Sequence, residues 1–357
     1  MDVAVLGATG DVGRAICAAL IERRVLPPTS RLQLVGRPGG ASARAVHGLR
    51  ADLIDAYDEH VPLIDVALAP TDVVADVVVL AAGQTAPTGS GRLVDRDQLA
   101  ANNLAVFDAY AQALAEHGSG HEVVVVVSNP VELGVAVFAR ALGRHRVIGM
   151  GAWLDTLRFR QEIAHSLGIR RQRVSGFVAG QHGDGMVPLW SSVRLRGLDA
   201  PEQLRATARL RGRYTMDEFP AEIVAAKARL TELAGQDVAA AFAEVDTWPP
   251  DLRLIARPYL THYSGAKTPH GTASATVDLV DTVLDGREIV VAGQVALAGE
   301  IRLAGESWHG VLGVPAVVGP EGWTRVLLNP LKDDEERRLH QIARQINALL
   351  TTHGMHP

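Results

Sequence analysis

Through the first 150 residues, short unbroken apolar runs alternate with amphipathic stretches. Val3-Ala4-Val5-Leu6, Leu32 to Val35, Asp76 to Ala82, Glu122 to Val127 and Val147 to Met150 set apolar side chains at successive positions. Runs of this kind are expected of strands covered on both faces, as in a parallel sheet. Between them, Arg14 to Arg23 aligns Ile16, Ala19 and Leu20 on one side of a helix, and a second helix starts at Arg96 and reaches about Leu114. Later the pattern changes. A helix is expected over Asp155 to Leu167, strands over Arg173 to Ala179 and Leu189 to Leu195, and another helix over Thr272 to Leu284. The stretch from about Ala200 to Lys267 is mostly helical in pattern, interrupted at Trp248-Pro249-Pro250. Glu288 to Leu297, Val314 to Val318 and Thr324 to Leu328 alternate like antiparallel strands. A terminal helix, with Asp333 as cap and Glu336 three residues on, carries Leu339, Ile342, Ile346 and Leu349 on one stripe. The expected class is α/β: a doubly wound parallel sheet over residues 1–149, then an α+β domain over 150–357 with an enlarged helical segment at about 200–267.

Composition narrows the function classes. A chain of 357 residues with 47% hydrophobic and 21% charged residues has room for two lobes and an ordinary globular balance. Net charge is −5, with 35 basic against 40 acidic residues, which gives no footprint for nucleic acid. Cys17 is the only cysteine, so an internal disulfide and a cysteine-built metal site are excluded, and no metal is expected. No basic-then-apolar leader precedes Val3, and no apolar run approaches the ~20 residues of a membrane helix. A cytoplasmic protein without a membrane partner is expected.

The candidate chemistry sits where strands end. Gly7-Ala8-Thr9-Gly10-Asp11-Val12-Gly13 follows the first strand and leads into a helix. A strand, glycine turn and helix in this order form a dinucleotide-binding unit of the Rossmann kind. Gly7 permits the turn, Gly10 allows close approach of a pyrophosphate, and Gly13 lets helix pack on strand. The second strand ends in Gly36-Arg37 rather than in the Asp or Glu that usually bonds the adenosine ribose. A small residue beside a guanidinium leaves room for a 2′-phosphate and a partner for it, so NADP is the expected cofactor and NAD the alternative. Gly83 begins a turn-rich loop, Gln84 to Asp95, suited to a lid. Ser128-Asn129-Pro130 presents Asn129 at the carboxyl end of a strand, where ligands bind in such sheets. Asp155 and Arg158, three apart, share a helix face. His182 projects from a glycine-flanked turn, Gly180-Gln181-His182-Gly183-Asp184.

Laid out in order, these pieces resemble the malate/lactate dehydrogenase family over nearly the whole chain. The resemblance rests on the turn Gly7 to Gly13, on Arg96-Asp97-Gln98-Leu99 followed by Asn103, and on Ser128-Asn129-Pro130-Val131. It rests further on Leu154-Asp155-Thr156-Leu157-Arg158-Phe159-Arg160, on Gly180 to Asp184 and on a late Gly313-Val314-Pro315. Gly36-Arg37 and Gly48-Leu49-Arg50-Ala51-Asp52-Leu53 look most like NADP-accepting malate dehydrogenases of archaeal type. The resemblance implies a second domain of the lactate/malate dehydrogenase type and a homodimer or homotetramer. It implies His182 as proton donor, Asp155 as its paired carboxylate, Arg158 as the grip on the substrate carboxylate and Arg96 as the lid arginine that polarises the carbonyl. Asn129 is then the residue that orients substrate and nicotinamide, and Gly7, Thr9, Gly10, Asp11, Val12, Gly36, Arg37, Gly83, Asn103 and Asn129 form the cofactor site.

The chemistry implied is reduction of a 2-oxo acid, with hydride to C2 and a proton to oxygen. A carboxylate beside an imidazole stabilises its protonated form, and a planar guanidinium matches a carboxylate. Two departures bear on the substrate. The lid is longer than the family's usual one; its early arginine has Ala86 near the corresponding place, and Arg92 either substitutes for that arginine or takes the lid arginine's own place. The segment from His182 to Gly271-Thr272 is also longer than usual, which makes His270 and Lys267 candidates for a polar contact to substrate. Malate/oxaloacetate is the leading substrate pair; a bulkier or unusually charged 2-oxo acid is the alternative. Two other classes are set beside this one: a catalytically silent nucleotide-binding paralogue, and an NAD-dependent glycosidase, which the single cysteine disfavours.

Overall fold

The computed structural model describes residues 1–85, 88–89, 96–212 and 215–356. The apolar runs become six parallel strands: β1 (Val3–Leu6), β2 (Arg31–Val35), β3 (Leu63–Ala67), β4 (Val77–Leu80), β5 (Val123–Val126) and β6 (Val147–Gly149). Their order is 3-2-1-4-5-6, a doubly wound sheet. β1, β4 and β5 are buried along their whole length, which is why they read as unbroken hydrophobic runs. β3 alternates exposed and buried positions at the sheet's edge, so it lacks the continuous signal that marks the others. The connections include α1 (Asp11–Glu22), α2 (Gly40–Ala56), α3 (Arg96–His117) and α4 (Val131–Leu142).

After β6 the chain enters α5 (Gly151–Leu167), then the hairpin β7 (Val174–Gly180) and β8 (Met186–Leu195). Four helices follow: α6 (Ala200–Arg211), α7 (Phe219–Ala234), α8 (Val238–Asp246) and α9 (Pro250–Tyr263). α10 (Pro269–Asp285) leads to the long antiparallel pair β9 (Ile289–Leu303) and β10 (Glu306–Gly319), then β11 (Gly322–Val326) and α11 (Asp333–Thr352). β9 joins β6 through one antiparallel step at Gly149 and Gln294, so a single eleven-stranded sheet runs through the molecule. The fold is therefore the mixed α/β class expected, a parallel nucleotide-binding sheet with an antiparallel extension. α11 is capped one residue earlier than its sequence implies. Glu335, not Glu336, reaches back to the first turn and accepts from the Lys332 N–H at 3.3 Å. Glu335 is buried and also accepts from the Ser191 N–H, a tertiary pull that shifts the cap.

Candidate active site

The carboxyl ends of β1, β4, β5 and β6 share one edge of the sheet, and the turns leaving them carry the chemistry. At β1, Gly7 to Gly10 turns the chain into α1. A side chain on Gly13 would meet the Gly7 carbonyl oxygen at 2.3 Å, so glycine is what lets the helix pack against the strand. Gly10 is the N-cap of α1, and no side chain caps that end. The first N–H groups of the helix thus lie open beside a residue without a side chain, which fits a phosphate. Thr9 Oγ1 is 3.2 Å from Ser42 Oγ, and Ser42 Oγ accepts from the Arg37 N–H at 3.1 Å. These bonds tie the ends of β1 and β2 together. Gly36 is buried and Arg37 is exposed beside it; Asp52 and Asp55 face solvent on α2.

At β4 and β5, Asn103 is fully buried. Its Oδ1 accepts from the Gln84 N–H at 2.7 Å, and its Nδ2 donates to the carbonyls of Gln84 (3.1 Å) and Asn129 (2.7 Å). Expected among the cofactor contacts, Asn103 instead gives its amide to backbone and braces the two turns against each other. Gly83 adopts φ +135°, and any side chain on it would run into Asn103. Asn129 itself stays exposed at the carboxyl end of β5. Val12 is a partly buried residue in the first turn of α1, packed against the core.

The three residues expected to carry the chemistry come together after β6. His182 Nδ1 lies 2.7 Å from Asp155 Oδ2, and Arg158 Nη1 lies 3.7 Å from Asp155 Oδ1. The Asp155 side chain is 1% exposed, against 17% for His182 and 23% for Arg158, so the carboxylate is at the back and the imidazole and guanidinium are the more exposed groups. Burial lowers the pKa of the Arg158 guanidinium, against the opposing pull of Asp155. The helix bearing Asp155 is fastened to the strand bearing His182: Thr156 Oγ1 accepts from the Val178 N–H at 2.9 Å, and Arg160 Nε donates to the Gly176 carbonyl at 2.9 Å.

Two residues of this corner escaped the sequence reading. Gly151 opens α5 directly behind the imidazole: a Cβ there would sit 2.6 Å from His182 Cβ and Cγ, so only glycine lets the ring approach the helix. Glu132 on α4 is fully buried, and its Oε1 accepts from the His182 N–H at 2.8 Å. Glu132 Oε1 also lies 3.5 Å from Gln294 Nε2, and Gln294 Oε1 accepts from the Ala152 N–H. The available signal for Glu132 was its place two residues after Asn129-Pro130, in the first turn of an otherwise apolar helix. Lys267 reaches Asp11 Oδ2 at 2.6 Å and so stands at the phosphate turn, not beside Arg158 as a substrate contact; the bond draws the Asp11 carboxyl below its usual range. His270 is exposed in the first turn of α10. Arg92 and Ala86 lie outside the described residues, and Arg96 is described only as the first residue of α3, its side chain outside them.

A doubly wound sheet with an open phosphate turn, and a buried carboxylate behind an imidazole and a guanidinium on the same edge, define a dinucleotide-dependent oxidoreductase. Comparison with known proteins is more particular. Residues 1–149 match the family described as lactate/malate dehydrogenase, NAD binding domain. The chain is similar to an L-lactate dehydrogenase of Streptococcus sanguinis, 27% identical over 282 residues, which are 77% of this chain and 72% of that protein. An L-lactate dehydrogenase of Latilactobacillus sakei is 26% identical over 283 residues, 78% of this chain and 73% of the relative. The match to that family's NAD-binding domain covers the first 149 residues, and the chain is an oxidoreductase acting on the CH–OH group of a hydroxy acid. Among the described residues, no helix is long and apolar enough to cross a membrane.

Proposed function

We propose that this protein is an NADPH-preferring 2-oxo acid reductase, running in reverse as a 2-hydroxy acid dehydrogenase, with oxaloacetate/malate as the leading pair. The observation that carries the reading is the 2.7 Å bond between His182 Nδ1 and the buried Asp155. With Nδ1–H given to Asp155, Nε2 is the nitrogen left to exchange a proton with substrate oxygen. The buried carboxylate fixes the ring, and a general acid so positioned is worth typically ~10²–10⁴ in rate. Arg158 takes the substrate carboxylate, because its guanidinium sits mostly out of water with Asp155, at 3.7 Å, as its one ion pair among the described residues. Asn129 orients the substrate from the end of β5, and Arg96 meets charge developing on the carbonyl oxygen.

The bound nicotinamide supplies the hydride. The turn Gly7, Thr9, Gly10, Asp11, Val12 with the open N-terminus of α1 would hold its pyrophosphate, and Gly83 would let the backbone pass close to it. Arg37, exposed beside the buried Gly36 at the end of β2 with no acidic residue next to it in sequence, supports a 2′-phosphate there. Its likeness to NADP-accepting malate dehydrogenases of archaeal type points the same way. The test is nicotinamide oxidation against a panel of 2-oxo acids. Expected are a higher kcat/KM with NADPH than with NADH and a reversed order in Arg37→Asp; a parent that strongly prefers NADH contradicts this account of Arg37. Residues 1–149 as the cofactor lobe and 150–357 as the substrate lobe belong to the same proposal, as does assembly into a homodimer or homotetramer.

A further inference from the structure

The helical block after β8 is the part of the chain that the chemistry above does not use, and α9 brings it back to the cleft. α9 runs antiparallel to α5. Arg257 Nε meets Glu162 at 2.6 Å, while Arg253, one turn earlier on α9, donates to the Glu162 carbonyl and to Ser166, one turn later on α5. Each turn forward along α9 is thus a turn back along α5. One more turn carries Thr261 and His262 toward the turn of α5 that bears Arg158, whose charge acts on the His262 ring. The segment leaving β4 arrives at the same place: the Gly89 N–H donates to the His262 carbonyl at 3.0 Å. His262 therefore stands where α5, α9 and the chain after β4 converge, open to solvent at the mouth of the cleft.

We propose that His262 is a specificity-determining residue: its imidazole receives the distal group of the substrate, and that group is a second carboxylate. The inference rests on the 2-oxo acid reading above and extends it to the side chain of the substrate. Surrounding protein, then the positive charges of Arg158 and His182, hold the His262 imidazole below the ordinary histidine range. Burial is the larger cause; the part that comes from Arg158 and His182 is a positive field at the ring. A field that disfavours a proton on the ring favours an anion next to it, and an uncharged imidazole still offers an N–H donor. Arg158 is matched to the first carboxylate, so a dicarboxylic 2-oxo acid meets two separate receivers, one on α5 and one on α9. The extra helices between His182 and Gly271 thereby supply what Ala86 cannot.

The test compares oxaloacetate with pyruvate, both with NADPH, in the parent, His262→Ala and His262→Gln. Removing a hydrogen bond to a charged group lowers kcat/KM by about ten- to a hundredfold. That loss is expected for oxaloacetate, chiefly through KM, with pyruvate changed less than about twofold and glutamine restoring part of it. Equal losses on both substrates would make His262 a structural residue, and no loss on either would remove it from the pocket. Either result overturns the proposal. A parent that reduces neither acid refutes the reductase reading instead. Thermal stabilisation by malonate over acetate, with NADPH present, then still decides the site: dependence on His262 upholds it and independence overturns it.

Discussion

The corner formed by His182, Asp155 and Arg158 and the helical block α6–α9 are neighbours built in opposite ways. The corner is assembled from short motifs, two residues three apart on one helix and one residue in a tight turn, held by hydrogen bonds to backbone at Val178 and Gly176. The block has a small apolar cluster of its own, Leu230, Ala234, Ala241, Val245, Ala256 and Leu260, and joins the rest through both apolar packing, at Phe219, Ile223, Leu254 and Ile255, and charge. Glu162 meets Arg253 and Arg257, Lys227 meets Asp184 two residues after His182, and Asp251 accepts from the Trp190 indole. Local geometry suffices for the chemistry. The block instead combines a core of its own with side chains shared with the main core and with ion pairs.

The comparison is broken most severely at Glu162. This carboxylate is buried between two arginines, and Arg253 is equally buried, so Glu162→Leu strands a guanidinium out of water. A stability loss of about 3–5 kcal/mol is expected in urea unfolding. A loss under about 1 kcal/mol would mean that apolar packing, not this ion pair, holds α9 against α5.

A smaller effect distinguishes the block by its pH response. Glu222 on α7 is pushed up to about 7, first by burial, then by the charges of Asp251 and Glu218. A carboxyl whose folded value lies above its ordinary 4.5 binds more protons folded than unfolded between those limits. Its contribution to stability is thus full below the lower value and is lost as pH rises through the upper one. Relative to Glu222→Gln, the parent is expected to lose urea resistance modestly from pH 4.5 to pH 7. Parallel profiles for the two proteins would place Glu222 in ordinary solvent.

What the sequence disclosed follows the same division. The parallel strands were legible because burial on both faces leaves unbroken apolar runs, as at Val77–Leu80 and Val123–Val126. His182, Asp155 and Arg158 were legible because each sits in a motif a few residues long. Glu132 and Gly151 were not, since their importance lies in touching His182 from 50 and 31 residues away, a relation no local pattern carries. His262 was passed over for Lys267 and His270, which lie nearer in sequence to α10. The antiparallel register of α9 on α5 is the relation that directs attention to His262, and no local pattern carries it. The cap of α11 was misplaced by one residue for a related reason, a tertiary bond from Ser191 to Glu335.

The central claim is that the imidazole braced by Asp155 delivers the proton during hydride transfer, and it is tested most directly by His182→Asn. Asparagine keeps the turn and a polar side chain but cannot serve as the acid. Turnover of the best 2-oxo acid is expected to fall by at least ~10²-fold, with the Kd for NADPH, read by fluorescence titration, unchanged. Turnover equal to the parent's, in a variant that still binds NADPH, would contradict the account.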